Sequence, residues 1–302
     1  MGKKAIETVF FGNYFLGVLA IALSLETSFQ LALPFNSLSW YAALFSAVTV
    51  YYTYAYRQAG PLMAPVNPRT EWYRQNAQRI RGSQAFLSVL LLGSLLILFY
   101  RNIDRIGLIA PEAWIIIGLA VFAAVAYYGK LPFFNLRQFT LTKPLTIGFC
   151  WAVAVSIMPL VVLEVEKGET EIPRLLTGWL FLKNWMFCSV NAVLFDVKDY
   201  ADDSNRQLKT FVVKYGIRFT ISSIIIPMIT LGTVSFIIFA TYRSFSLFQI
   251  LINLIPFVLT FYIALNITQK KRSILYYLVL IDGMLLVKAA CGILGAVLKQ
   301  SV

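Results

Sequence analysis

AFLSVLLLGSLLILFY, residues 85–100, sits between Arg81 and Arg101 with no charged residue separating them. A run of about 20 apolar residues is what an α-helix needs to cross the hydrocarbon core of a bilayer. Working outward, AWIIIGLAVFAAVAYY (113–128) and ITLGTVSFIIFATY (229–242) read the same way. The whole chain of 302 residues is 59% hydrophobic and 13% charged, with mean hydropathy +0.73. Soluble domains carry about 25% charged residues. The sequence therefore predicts an all-α, multi-pass integral membrane protein. Nine helices are expected, near 8–24, 38–57, 84–100, 112–129, 145–163, 176–195, 217–240, 247–267 and 273–297. They form one transmembrane domain over 1–302, with polar cytoplasmic loops at about 58–83 and 196–216. No small-residue cleavage site precedes the second apolar segment, so the first helix is expected to be kept.

The net charge of +12 raises the question of nucleic acid, and its distribution answers it. With the N-terminus placed in the cytoplasm, eighteen Lys and Arg fall on the inner side and six on the outer. Lys183 and Lys288 are left within spans. Such an excess is the positive-inside signature of membrane topology, and it accounts for most of the basic charge without nucleic acid. The expected location is a bacterial cytoplasmic membrane. There is no histidine, which removes the commonest general base and most zinc and haem sites. A metal site would have to be built from oxygen, which suits magnesium or calcium. Cys150, Cys188 and Cys291 lie in apolar runs and read as small buried hydrophobes.

Against this apolar background, FDVKDYADD (195–203) gathers four of the six aspartates. If the sixth helix continues into the cytoplasm, Asp196, Asp199 and Asp203 share one face at i, i+3 and i+7, while Asp202 points elsewhere. Carboxylates about 6 Å apart repel by roughly 3 kcal/mol per pair at an effective dielectric near 20, and by under ~1 kcal/mol in open water. In a cavity the row demands a divalent cation. On a solvated helix end it demands nothing.

LFDVKDYADDSNRQLKTFVVKYG (194–216) resembles the second aspartate-rich motif of the UbiA superfamily of intramembrane prenyltransferases. Asp196, Asp199 and Asp203 match its acids and Lys198 a basic position between them. Thr210 and Gly216 match its downstream marks, and Gln207 stands where glycine is common. YYGKLPFFNLRQFTLTKPLTIG (127–148) is similar to the family's loop after the fourth helix, with Arg137 on its arginine and Asn135–Leu136 on its lysine side. The resemblance implies nine helices around a central cavity. It implies two magnesium ions that bridge two acidic motifs to the diphosphate of an isoprenoid donor, and an acceptor that attacks the allylic carbon. The partners it implies are a prenyl diphosphate, a lipophilic acceptor and membrane lipid. Asp196, Asp199 and Asp203 would hold Mg²⁺.

The chain departs from the family pattern after the second helix. The first acidic motif belongs there, and residues 40–70 contain no Asp or Glu. NPRT at Asn67–Thr70 matches the sequence that follows that motif, which sets its acidic positions on Arg57, Gly60 and Ala64 and its leading Asn on Tyr56. Arginine grips phosphate through two parallel hydrogen bonds, so Arg57 and Arg69 are candidates to replace a metal-bound acid. Arg57, Asn67, Arg69, Arg137 and Lys198 are therefore expected at the substrate. Loss of the motif equally suits a non-catalytic relative that binds a lipid phosphate or a partner. YYTYAYR (51–57) places tyrosines where they line a cavity and face a developing cation, or where they form an interfacial belt. Asp282 in the last helix is the candidate polar group of the cavity wall, because ionisable residues inside spans face a cavity or a partner. Lys183 and Lys288 are expected to snorkel outward.

Overall fold

A computed structural model describes residues 2–57, 68–127, 142–168, 172–205, 210–268 and 272–300, and among them it is helical with no strand. Helix α1 (Gly2–Phe11) and helix α2 (Tyr14–Leu31) replace the single first helix expected over 8–24. The break falls at Asn13, whose φ of 62° is left-handed, a conformation that asparagine tolerates better than most side chains. A helix end leaves carbonyls without partners. Here Phe11 O accepts from Arg69 Nη2 (3.1 Å) and from Tyr73 Oη (2.8 Å). Arg69 Nη2 also donates to Asn13 Oδ1 at 2.6 Å. Both donors come from α4 (Pro68–Gln75), which follows α3 (Leu38–Arg57). Part of the expected 58–83 loop is thus helical.

Next come α5 (Ala77–Arg101), a 3₁₀ turn, and α6 (Pro111–Tyr127), which starts on proline, the residue best suited to a first helical turn. Leu92, Leu96 and Tyr100 of α5 and Ile115 and Leu119 of α6 are exposed, as befits surfaces turned to lipid. Helix α7 (Thr142–Ala152) passes through a π turn at Val153–Ile157 into α8 (Met158–Lys167). Pro159 has no N–H to give to Val155 O. That carbonyl accepts instead from Thr27 Oγ1 of α2 at 2.8 Å, so a helix irregularity becomes an interhelical bond.

The 32 residues of α9 (Arg174–Asn205) span about 48 Å, against about 30 Å of hydrocarbon. The helix is longer than the hydrocarbon is thick, and the aspartates lie in its last ten residues. Short helices α10 (Phe211–Tyr215) and α11 (Ile217–Thr220) follow, then a second π turn, α12 (Ile226–Tyr242), α13 (Leu247–Asn266) and α14 (Ile274–Gln300). Thr210 caps α10, its Oγ1 accepting from Val213 N at 3.3 Å. Gly216, at φ 83° and ψ 161°, turns the chain between α10 and α11 in a region essentially closed to other residues. Seven helices among the described residues are long and apolar enough to cross a membrane, and Pro111–Tyr127 is a shorter apolar helix. The nine expected crossings exceed the number this criterion supports.

Helix α9 packs against α7, α12 and α14, and α14 packs in turn against α2 and α13, which closes the bundle. Phe187, Val190, Val193, Leu194 and Val197 of α9 sit in the core with Leu19 and Leu23 of α2 and Ile281 and Leu285 of α14. At this closure the expectation for the intramembrane lysines fails. Lys183 and Lys288 do not snorkel. Both meet Glu26 of α2, which is 1% exposed, while Lys288 is 0% exposed. Lys288 Nζ lies 2.6 Å from Glu26 Oε2, and Lys183 Nζ lies 3.6 Å from Glu26 Oε1. Asn184 Oδ1 accepts from Lys288, and Asn253 Oδ1 accepts from Lys183 at 3.3 Å. Pairing and hydrogen bonding are the conditions under which charge survives burial. Four helices, α2, α9, α13 and α14, are joined by this cluster.

Candidate functional site: the aspartate end of α9

Lys183 and Asp196 are thirteen residues apart on α9, about 20 Å along the axis. The charge cluster and the aspartate row therefore occupy different levels of the bundle. The helix runs unbroken through Asp196, Asp199 and Asp203. The side chain of Asp203 lies outside the described residues, as do the side chain of Arg57 and the whole of Asn67 and Arg137.

Asp196 is buried. Lys143 Nζ of α7 pairs with its Oδ1, and the two side chains are 14% and 4% exposed. This lysine occupies the second position of α7, where the helix dipole disfavours a cation by roughly 0.3–1 kcal/mol. Its position is explained by Asp196 rather than by its own helix. Two contacts bring α7 and α9 together. Trp185 Nε1 donates to Leu145 O at 2.9 Å. A Cβ on Gly148 would stand 2.8 Å from Trp185 O and 2.9 Å from Ser189 N, so only glycine permits this approach. Asp199, more open at 39% side-chain exposure, pairs with Lys198 Nζ beside it.

Asp282 of α14 is buried at 5% exposure, and its Oδ1 accepts from Asn191 Nδ2 of α9 at 3.4 Å. Asn191 lies five residues before Asp196, so this acid is about 7–8 Å deeper. Lys143 and Lys198 thus pair with Asp196 and Asp199, while Arg69 is buried and holds Phe11 O and Asn13 Oδ1. Tyr51 and Tyr52 of α3 both have hydrogen-bond partners on neighbouring helices. Tyr51 Oη donates to Ala124 O at 3.0 Å, and Trp151 Nε1 donates to Tyr52 Oη at 2.6 Å.

The magnesium pair implied by the resemblance is only partly matched. No group of three or more His, Cys, Asp or Glu among the described residues is placed to hold a metal. The nearest acid to the missing first motif is Glu71. Hydrogen bonds from Arg74 Nη2 and Gln75 Nε2, both 2.9 Å, hold its carboxyl below the usual carboxylate range. Glu71 is therefore committed to its own helix. Magnesium usually takes one or two carboxylates and completes its shell with water and substrate phosphate. Asp199 is an accessible carboxylate of the kind such an ion takes, and the side chains of Asp202 and Asp203 lie outside the described residues.

Sequence reasoning missed two residues. Lys143 counted only as a positive-inside charge, and its placement next to Pro144 gave no sign of an acid 53 positions later. Glu26 fell just past the expected end of the first helix, so it was not read as an intramembrane acid.

Comparison with curated proteins and with solved structures gave no match. A model of the UbiA prenyltransferase family matches residues 61–280, which takes in α4 through the first turns of α14 and the entire aspartate row. Members of this family generally use magnesium, prenyl diphosphates and lipophilic acceptors. Over nearly three quarters of its length, and with a bundle of membrane-spanning helices, this chain belongs to the UbiA prenyltransferase family.

Proposed function

We propose that this membrane protein transfers an isoprenoid group from a prenyl diphosphate to a lipophilic acceptor at the cytoplasmic face of a bacterial membrane, with its N-terminus inside. The observation that carries the reading is the C-terminal end of α9, where Asp196 and Asp199 are met by Lys143 and Lys198 in a family that handles diphosphates. Asp199 and Asp203 would hold a magnesium ion. When bound, that ion draws electron density from the leaving diphosphate. Lys198, Arg69, Arg137, Arg57 and Asn67 would provide positive charge and hydrogen bonds for the phosphate oxygens. Asp282, one level deeper, is a polar group in the cavity wall.

The bond from the allylic carbon to the diphosphate oxygen breaks, and a bond from that carbon to the acceptor forms. The acceptor loses a proton, and the diphosphate leaves with the electron pair. A greasy donor tail explains why chemistry at the cytoplasmic face is housed in a membrane fold.

Purified protein in lipid nanodiscs, given prenyl diphosphates of several lengths and Mg²⁺, should release diphosphate. Asp199→Asn should lower that release at least tenfold. One observation favours a second reading: residues 40–70 hold no acid. Saturable donor binding without release across the donor panel would establish that reading, a non-catalytic binder of lipid phosphate, and overturn the first.

A further inference from the structure

Two cations meet the described acids of the α9 row, and they meet them differently. Lys198 is the neighbour of Asp199 in sequence, and that carboxylate remains 39% exposed. Lys143 comes from another helix and meets an Asp196 side chain that is 4% exposed. Magnesium sheds its water reluctantly and usually keeps several of its hydration molecules. A buried carboxylate closed by an ammonium has no place for such a hydrated ion, whereas Asp199, although paired with Lys198, keeps an exposed side that one can reach. Lys143 also sits against the preference of its helix dipole. A residue that breaks a local rule is expected where function or strain requires it.

We infer that Lys143 replaces a divalent metal at Asp196, so that the ammonium is the working counter-charge of that carboxylate and Asp199 is left as the metal ligand. The inference deepens the prenyltransferase reading and rests on it for the presence of magnesium. It accounts for the missing first motif without a second metal. A family site built for two ions becomes a one-metal site in which a lysine compensates the charge of the innermost acid of the row.

The test uses Mn²⁺ alone as a probe of the full-length protein, with free metal followed by electron paramagnetic resonance. Asp199→Asn should weaken Mn²⁺ binding at least tenfold, and Asp196→Asn should change it less than twofold. Lys143→Gln frees Asp196 and should strengthen Mn²⁺ binding at least tenfold or add a second equivalent. That gain should vanish in Lys143→Gln/Asp196→Asn, where two neutral amides keep the shape of the pair. If Lys143→Gln does not fold, the contrast between Asp196→Asn and Asp199→Asn decides. A tenfold loss in Asp196→Asn, no loss in Asp199→Asn, or no gain in a folded Lys143→Gln would each overturn the inference. Binding of inorganic pyrophosphate in the presence of Mn²⁺ separates the two levels. If pyrophosphate binds and the metal cycle fails, only the role of Lys143 falls. If the cycle holds and pyrophosphate does not bind, the prenyl-diphosphate reading falls.

Discussion

Asp282 and Glu26 are both intramembrane acids, and their surroundings assign them different work. Glu26 is enclosed by two lysines and hydrogen-bonded by Gln30 Nε2 at 2.8 Å. Removing one partner of such a buried pair leaves an uncompensated charge and costs about 3–5 kcal/mol. Glu26→Gln strands both lysines and should therefore lower the unfolding midpoint sharply in a thermal scan. Adding Lys288→Met removes one of the two stranded charges and should recover part of the loss, because contacting residues do not contribute additively. Asp282 is instead bonded to a neutral partner, Asn191. Asp282→Asn should preserve expression and thermal stability while reducing diphosphate release at least tenfold. Unchanged turnover would remove Asp282 from the site.

Among the elements, α7 and α9 decide the geometry of the site. Their close approach, Gly148 against Ser189, lies one to two helical turns from the Lys143–Asp196 pair, after Lys143 on α7 and before Asp196 on α9. A leucine at Gly148 would force the helices apart. Gly148→Leu is expected to destabilise the protein by about 1–3 kcal/mol, the usual range for overpacking, and to lower activity as well. Gly216 offers a comparison away from that contact. A Cβ there meets nothing within 4 Å, yet the positive φ strains any other residue. Gly216→Ala is expected to cost about 1–3 kcal/mol through the backbone alone. Circular-dichroism melts of the two variants, set beside their diphosphate release, separate interhelical packing from local strain. The π turn before Pro159 is a third joint. Thr27→Val removes the bond to Val155 O and should cost about 1 kcal/mol in the same melts.

At the scale of the whole molecule, membrane character and the aspartate row were legible because both are local signals. Apolar run length and the spacing of Asp196, Asp199 and Asp203 depend on the helix repeat alone. Contacts between distant positions were not legible. Nothing near Lys143 specifies Asp196, and nothing near Glu26 specifies Lys288, 262 positions away. The snorkelling expectation for Lys183 and Lys288 failed for the same reason, since it assumed lipid where α2 supplies an acid. The break at Asn13 escaped notice because apolar residues continue on both sides of it. The proposed orientation rests on the basic asymmetry. In a background without native cysteines, Lys214→Cys should react with an impermeant thiol reagent only after the membrane is opened, and Ser244→Cys should react from outside. The reverse pattern would invert the bundle. The central claim is that the cytoplasmic end of α9 seats the diphosphate of a prenyl donor. Its most direct measurement is saturable binding of a prenyl diphosphate to the purified wild-type protein and to Asp199→Asn. The account predicts saturation in the wild type and at least a tenfold loss of affinity in the variant. Equal affinity in both proteins, or no binding in either, would contradict it.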